Sequence, residues 1–148
     1  MAEIDLSQAE ADALLAMEKH RVDETVWNFP QIGQRIAIPL VSPDRRESFF
    51  VDVSRASIKL MKATFQQRAR QSVVLLRLDI HGAPHRNPDG IEIPCPHLHI
   101  YRAGYGDKWA IAAPRELLGD HDSPHEIFVS FMQRCHVTQP PIVQGGLL

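Results

Sequence analysis

The sequence predicts an α+β fold, in which an antiparallel sheet of about five or six strands lies between an N-terminal and a C-terminal helix. Helices are predicted at the two ends by Ser7 and Ser123, because each is followed three residues later by a glutamate, the pattern of a capping box. The sheet is predicted by short runs of alternating apolar and polar residues that turn residues separate. The chain has 148 residues, so we expect one domain, 1–148, with one hydrophobic core.

The first helix is predicted from Ser7 to about His20, with Glu10 completing the capping box. It lies in an acidic N-terminal region, residues 1–24. The strand at Arg35–Leu40 contains Pro39, which cannot donate a ladder hydrogen bond, so we expect an edge strand or a strand end there. The other predicted strands are Glu47–Ser54, Ser57–Arg70 with a bulge near residues 60–61, the buried central strand Ser72–Ile80, His97–Arg102 and Lys108–Ala112.

The C-terminal part begins with a single helical turn, predicted at Pro114–Leu118, and continues with a helix from Ser123 to about Cys135. Residues 138–148 form a Pro/Gly-rich tail that still carries apolar side chains. Two roles are open for this tail: it docks as an edge segment of the sheet, or it contacts a second subunit.

Composition excludes several classes of protein. Apolar residues make up 44% and charged residues 23%, which is typical of a globular domain. No apolar run approaches the roughly 20 residues of a membrane helix, and the acidic N-terminus lacks the features of a signal peptide. Cys95 and Cys135 are too few for a disulfide framework. We therefore expect a cytoplasmic protein that does not associate with membranes.

Charge is segregated along the chain although the net charge is only −2. Residues 53–78 contain six basic residues and no acidic residue, so this segment carries +6 and the remainder −8. On the strand predicted there, Lys62, Thr64, Gln66, Arg68 and Arg70 share one polar face. That row indicates either a binding surface for an anionic ligand or an ordinary solvent-facing row.

The strongest candidate site lies in Cys95-Pro96-His97-Leu98-His99-Ile100-Tyr101-Arg102. Side chains alternate across a strand, so His97, His99 and Tyr101 are predicted to share one face and Leu98 and Ile100 to face the core.

Further candidates lie before this stretch. A loop over residues 81–96, with four prolines, adds His81, His85 and Arg86. Arg77 and Asp79 are predicted to point to the same face near the end of the preceding strand. They are expected either to form an ion pair or to enter the site.

Three chemistries are open for these residues. The first is metal-free acid–base catalysis on a phosphodiester, with His97 and His99 as base and acid, Tyr101 as an alternative, and arginines that stabilise the phosphate charge. The second is a divalent-metal site, zinc for example, formed by His97 and His99 with Cys95 or His85. The third is nucleophilic catalysis by Cys95, for which the sequence shows no orienting acid.

The segments Pro84–Gly90, Cys95–Arg102 and Gly104–Ala110 resemble a small family of uncharacterised bacterial and prophage-borne proteins of similar length. The resemblance implies a bacterial or mobile-element setting and carries no established activity.

The leading hypothesis from the sequence is that the protein binds a phosphate-bearing ligand, RNA or a nucleotide. If the protein is an enzyme, this hypothesis predicts a metal-independent ribonuclease of toxin type. His97, His99 and Tyr101 are its catalytic candidates. Its ligand-binding candidates are His81, His85, Arg86, Arg68 and Arg70. The alternative is a non-enzymatic module that binds a protein partner in a toxin–antitoxin or phage–host system.

Overall fold

The fold was derived from a computed structural model, which describes residues 5–57, 61–119 and 123–145. The helices are α1 (Gln8–Ala16), α2 (Arg115–Leu118) and α3 (Pro124–Arg134). The strands are β1 (Lys19–Arg21), β2 (Val26–Asn28), β3 (Arg35–Val41), β4 (Ser48–Arg55), β5 (Ala63–Ala69), β6 (Val73–Ile80), β7 (His85–Arg86), β8 (Glu92–Ile93), β9 (His97–Ile100), β10 (Ala110–Ala112), β11 (Val137–Gln139) and β12 (Ile142–Gln144). No helix in these ranges is both long and apolar enough to cross a membrane.

One sheet of eight strands dominates the fold, in the order β10-β9-β6-β5-β4-β3-β1-β11. Adjacent strands of this sheet pair antiparallel, except β1 and β11, which pair parallel. Two small sheets, β12-β2 and β7-β8, complete the architecture. The predicted α+β class is therefore confirmed, whereas the predicted number of strands is too low.

The extra strands of the large sheet come from the chain ends. β1 and β11 have three residues each and no clear alternation, so local pattern does not predict them. β11 and β12 bring parts of the predicted tail into parallel pairing with β1 and β2. The prediction that the tail docks as an edge segment is confirmed for the residues in β11, at the edge of the large sheet, whereas β12 pairs with β2 in a separate small sheet.

The predicted first helix is too long, because α1 ends at Ala16 and the next residue, Met17, is extended. The capping box is confirmed: Ser7 accepts a hydrogen bond from the Glu10 amide and Glu10 from the Ser7 amide. The following residues pair as β1 with β3 and β11. Pairing across the sheet therefore replaces the last turn of the predicted helix.

Two predictions concern irregular strand positions. Pro39 lies inside β3 and pairs with Phe50 of β4, so the alternative of a strand end is wrong. β1 pairs only with Leu40 and Val41, so the other side of β3 at Pro39 is an edge, as the first alternative predicts. The bulge predicted near residues 60–61 falls on positions that lie mainly outside the described residues. A register shift is found instead between Gln67 and Arg68, in the pairing of β5 with β6.

The core lies between one face of the sheet and helices α1 and α3. Phe65 on β5 packs against Phe128 and Phe131 of α3, with ring centroids 5.3 Å and 6.0 Å apart. All three side chains are completely buried. Residues of β5 that alternate with Phe65 therefore lie on the opposite, helix-free face.

Lys19 is the largest fully buried polar residue and has 0% of its surface exposed. Its Nζ donates to the carbonyls of Leu15 (3.0 Å), Met17 (2.7 Å) and Cys135 (2.8 Å), and it lies 4.8 Å from the Phe49 ring centroid. These carbonyls are at the C-terminal ends of α1 and α3, where intrahelical donors are lacking. Burial lowers the pKa of the Lys19 ammonium to about 8, so it is still charged at neutral pH and joins the two helix ends.

We expect Lys19→Met to lower the free energy of unfolding by about 2–4 kcal/mol, because buried carbonyls lose their donor. Urea denaturation measures this change. Lys108→Met, at an exposed lysine, is the control and should change the unfolding free energy by less than about 0.5 kcal/mol. Equal stability of the two variants would contradict the assigned role of Lys19.

The buried thiol of Cys135 predicts a pH dependence of stability. Burial raises its pKa from 9.0 to about 12. Between these values the folded state binds the proton and the unfolded state releases it, so stability falls by about 1.4 kcal/mol per pH unit. Cys135→Ala removes this contribution. The stability difference between the wild type and the variant should therefore shift by about 2 kcal/mol from pH 9 to 10.5 in reducing urea titrations; a constant difference would refute the assignment.

Candidate functional site

The helix-free face of the sheet carries a groove of about 1010 Å³. The strands alternate, so their outward residues form its floor. Polar and charged side chains that line the groove include Asp52, Thr64, Gln66, Arg68, Arg77 and Asp79. The prediction that alternate residues of the Lys62–Arg70 row share one face is confirmed for Thr64, Gln66 and Arg68. Lys62 and Arg70 lie outside β5, which spans Ala63–Ala69.

The arginines predicted to bind a ligand are each paired with a carboxylate. Arg68 makes a two-point contact with Asp52, with Nε–Oδ2 at 2.6 Å and Nη2–Oδ1 at 2.9 Å, and these hydrogen bonds raise the pKa of its guanidinium. Arg70, in the β5–β6 turn, pairs with Glu47, Nη2–Oε1 3.1 Å.

Arg86 pairs with Glu92, Nη2–Oε1 3.3 Å, although its side chain is 70% exposed. Within the basic segment, residues 53–78, Arg68, Arg70 and Arg77 are each paired with an acid from a neighbouring part of the fold.

The histidines are placed by the pairing of β9 with β6. In this antiparallel register His97 lies opposite Asp79, and His99 lies opposite Arg77. Residues opposite one another point to the same face, so these four polar side chains meet at one end of the groove. Leu98 on the other face is completely buried, as predicted.

The Asp79 carboxylate is the centre of this cluster. Its Oδ2 lies 3.0 Å from Nε2 of His97 and 3.1 Å from Nε2 of His99, and its Oδ1 accepts a hydrogen bond from Thr64 Oγ1 at 2.9 Å. One ligand atom from each of Asp79, His97 and His99 lies within 4.8 Å of the other two. His97 and His99 are only 3% and 1% exposed.

Asp79 is ionised despite its environment. Burial acts to raise its pKa, but the charge of Arg77 and the hydrogen bond from Thr64 act in the opposite direction. Together they hold the pKa of Asp79 well below its usual range. A negative charge therefore faces both imidazoles at neutral pH.

The proton position on His99 follows from its neighbours. Its Nδ1 lies 2.8 Å from the carbonyl oxygen of Asp107, which can only accept, so Nδ1 carries the proton. Its Nε2 then presents a lone pair to the Arg77 guanidinium, whose Nη2 is 3.0 Å away, and also to the Asp79 carboxylate. A lone pair facing a carboxylate is favourable only with a cation beside both.

His85 covers the pair from the loop between β6 and β9. Its ring centroid is 4.5 Å from that of His99 and 5.8 Å from that of His97. Its Nε2 lies 2.7 Å from the Lys108 carbonyl. The adjacent carbonyls of Asp107 and Lys108 therefore orient two histidines, as backbone carbonyls do for metal-binding imidazoles.

The loop that carries His85 is anchored by Asn87. The Asn87 side chain donates to the Ala110 carbonyl and accepts from the Ala110 amide, both at 2.9 Å. These two hydrogen bonds are of the kind that a neighbouring strand would form with the edge of β10, and they hold the loop against the sheet.

The placement predicted for Tyr101 is wrong. Its hydroxyl donates to the Leu6 carbonyl at 2.7 Å and accepts from the Leu6 amide at 3.0 Å, and its side chain belongs to the hydrophobic core. β9 ends at Ile100, so alternation no longer determines the direction of the next side chain. The predicted histidine face therefore consists of His97 and His99 without Tyr101.

Two other predicted residues lie beside the cluster. The Cys95 thiol accepts from the Gly82 amide and donates to the Asp79 carbonyl, both at 3.1 Å, so it supports the backbone of Asp79. His81 is exposed, with φ 57°. Neither belongs to the three-residue ligand group found among the described residues.

Two imidazoles and one carboxylate form a ligand set typical of Zn²⁺, Fe²⁺ and related first-row ions, with coordination positions left open for a ligand. Asp79 is not among the metal ligands that the sequence predicts. The sequence shows that Asp79 and Arg77, two residues apart on one strand, point to the same face. Only the pairing of β6 with β9 places that face beside the histidines.

Comparison with curated proteins and comparison with solved structures each found no match. A protein-family model matches residues 6–137, which include every residue of the cluster. The chain belongs to the family of unknown function DUF6978.

Proposed function

We propose that this protein binds a first-row transition-metal ion through Asp79, His97 and His99, and that the metal centre acts on a phosphate-bearing ligand, RNA or a nucleotide, in the adjoining groove. One observation carries the proposal: both Nε2 atoms converge on the same carboxylate oxygen, at 3.0 Å and 3.1 Å. A metal ion bound among these atoms would be coordinated by the lone pairs of both nitrogens and of the carboxylate oxygen.

The orientation of the imidazoles supports the same proposal. The proton on His99 Nδ1 is held by a backbone carbonyl, which leaves Nε2 available as a ligand atom. His97 Nε2 becomes a ligand atom when the ring carries its proton on Nδ1, a buried atom without a hydrogen-bond partner among the described residues. The donor set of nitrogen and a single carboxylate favours zinc, cobalt or iron over calcium and magnesium.

A phosphate-bearing ligand is supported by the groove that ends at Asp79 and Arg77. A metal ion at this end polarises a phosphoryl oxygen or activates a water molecule. Metal-free acid–base catalysis by His97 and His99 is less well supported, because both rings are almost completely buried. A protein-binding role remains a prediction from the sequence.

Metal binding is tested with protein purified without a histidine tag. We expect about one equivalent of Zn²⁺ or Co²⁺ per chain by elemental analysis and calorimetry. Asp79→Asn and His99→Gln should lower the affinity at least tenfold, because each removes a ligand or its charge. His20→Gln is the control, since His20 pairs with Glu18 away from the cluster. Folded wild-type protein that binds neither ion would refute the metal site.

Action on RNA is tested with end-labelled RNA. We expect the metal-loaded protein to bind or cleave the RNA, and we expect chelator treatment and His97→Gln to abolish the effect. Cleavage that persists in chelator and is lost in the variant would support metal-free acid–base catalysis instead. Intact, unbound RNA in the presence of folded, metal-loaded protein would contradict the RNA part of the proposal.

A further inference from the structure

Arg77 holds together three groups of the site. Its Nη2 lies 3.0 Å from His99 Nε2, its Nη1 donates to Asp107 Oδ2 at 2.8 Å, and its Nε lies 3.5 Å from Asp79 Oδ2. The guanidinium therefore contacts two of the three proposed metal ligands. It also lines the groove, and its side chain is 27% exposed.

A metal ion and Arg77 compete for the same lone pair. His99 Nε2 can accept the Arg77 N–H or coordinate a metal ion, but not both, because Nδ1 already carries the proton that faces the Asp107 carbonyl. A divalent ion at Asp79 also repels a guanidinium a few ångströms away. Binding of the metal ion must therefore move the Nη2 end of Arg77 away from His99.

The contact with Asp107 shows what keeps the displaced guanidinium near the site. Asp107 holds Nη1, the nitrogen that does not contact His99. With this contact kept as a pivot, Nη2 turns away from the cluster and into the groove. A planar guanidinium with free N–H groups next to a metal ion is suited to the oxygen atoms of a phosphate.

We propose that Arg77 is the resident cation of the metal-free site, that a metal ion displaces it from His99, and that the released guanidinium then binds the phosphate group of the ligand beside the metal ion. This inference rests on the proposed metal site. It names Arg77 as a phosphate-binding residue whose availability depends on the metal ion.

The two ligands should therefore promote each other. The phosphate group gains both the metal ion and a free guanidinium, whereas without metal Arg77 is occupied by His99 and Asp79. Linkage requires that the phosphate ligand raises metal affinity by the same factor by which the metal ion raises phosphate affinity. Removal of Arg77 should weaken this coupling, because only the contact of the phosphate with the metal ion remains, and it should also remove the competition for His99.

The experiment uses Co²⁺ and adenosine monophosphate as probes of the full-length protein. Calorimetry gives the affinity for each probe with and without the other, and the visible spectrum of bound Co²⁺ reports coordination by nitrogen and oxygen. We expect the wild type to bind adenosine monophosphate at least tenfold more tightly when loaded with Co²⁺. Arg77→Gln should bind Co²⁺ more tightly than the wild type, and the coupling between its two affinities should be smaller than in the wild type.

Arg21→Gln is the control, because Arg21 lies on β1, far from β9 in the strand order of the sheet, and pairs with Glu24. It should keep the wild-type coupling. The Arg77→Gln titration also corrects for the weak complex of Co²⁺ with the nucleotide in solution.

Equal coupling in the wild type and Arg77→Gln would overturn the inference and leave the metal site in place. Metal-loaded wild type that does not bind the nucleotide would also overturn it. Absence of Co²⁺ binding in the wild type, with normal folding, would refute the proposed metal site itself, so the two failures are distinguishable.

Discussion

The register between β6 and β9 is the constraint on which the site depends. It sets Asp79 opposite His97 and Arg77 opposite His99, so a carboxylate, a guanidinium and two imidazoles meet on the helix-free face. A slip of one residue would move both histidines to the core face. The buried Leu98 and Leu78, which pair on that core face, make such a slip costly, so apolar packing on one side of the sheet positions the polar chemistry on the other.

The cluster and Lys19 show two ways to bury charge. Lys19 is satisfied by carbonyl acceptors at the ends of two helices, and its role in joining α1 to α3 accounts for its burial. The cluster is not explained so simply, because His99 Nε2 faces a donor and an anion at once. Buried ion pairs add little to stability compared with apolar packing, and perturbed carboxylates concentrate at functional sites. These two considerations favour chemistry over a purely structural role.

Formation of the sheet pairs basic residues that are clustered along the sequence with acidic residues from neighbouring parts of the fold. The basic segment 53–78 has no acidic residue in sequence, but antiparallel pairing brings Asp52 to Arg68, and the turn brings Glu47 to Arg70. Two cations of the predicted row, Arg68 and Arg70, are therefore paired with carboxylates. Arg77 differs from Arg68 and Arg70 because one of its partners is a histidine, whose lone pair a metal ion can take.

The sequence alone determined the elements whose signals are local. Capping residues at Ser7 and Ser123 marked the helix starts, and alternation gave the central strands and placed His97 and His99 on one face. These predictions succeed because caps and side-chain alternation depend on neighbours along the chain.

Tertiary structure decided the rest. β1 and β11 exist because distant segments pair, Tyr101 enters the core because its hydroxyl bonds to Leu6, and Asp79 joins the histidines only through the register of β9. Asp107 reaches the same site through a turn. In each case the partner is remote in sequence, and the free energy of pairing comes from contacts and hydrogen bonds that no local pattern records.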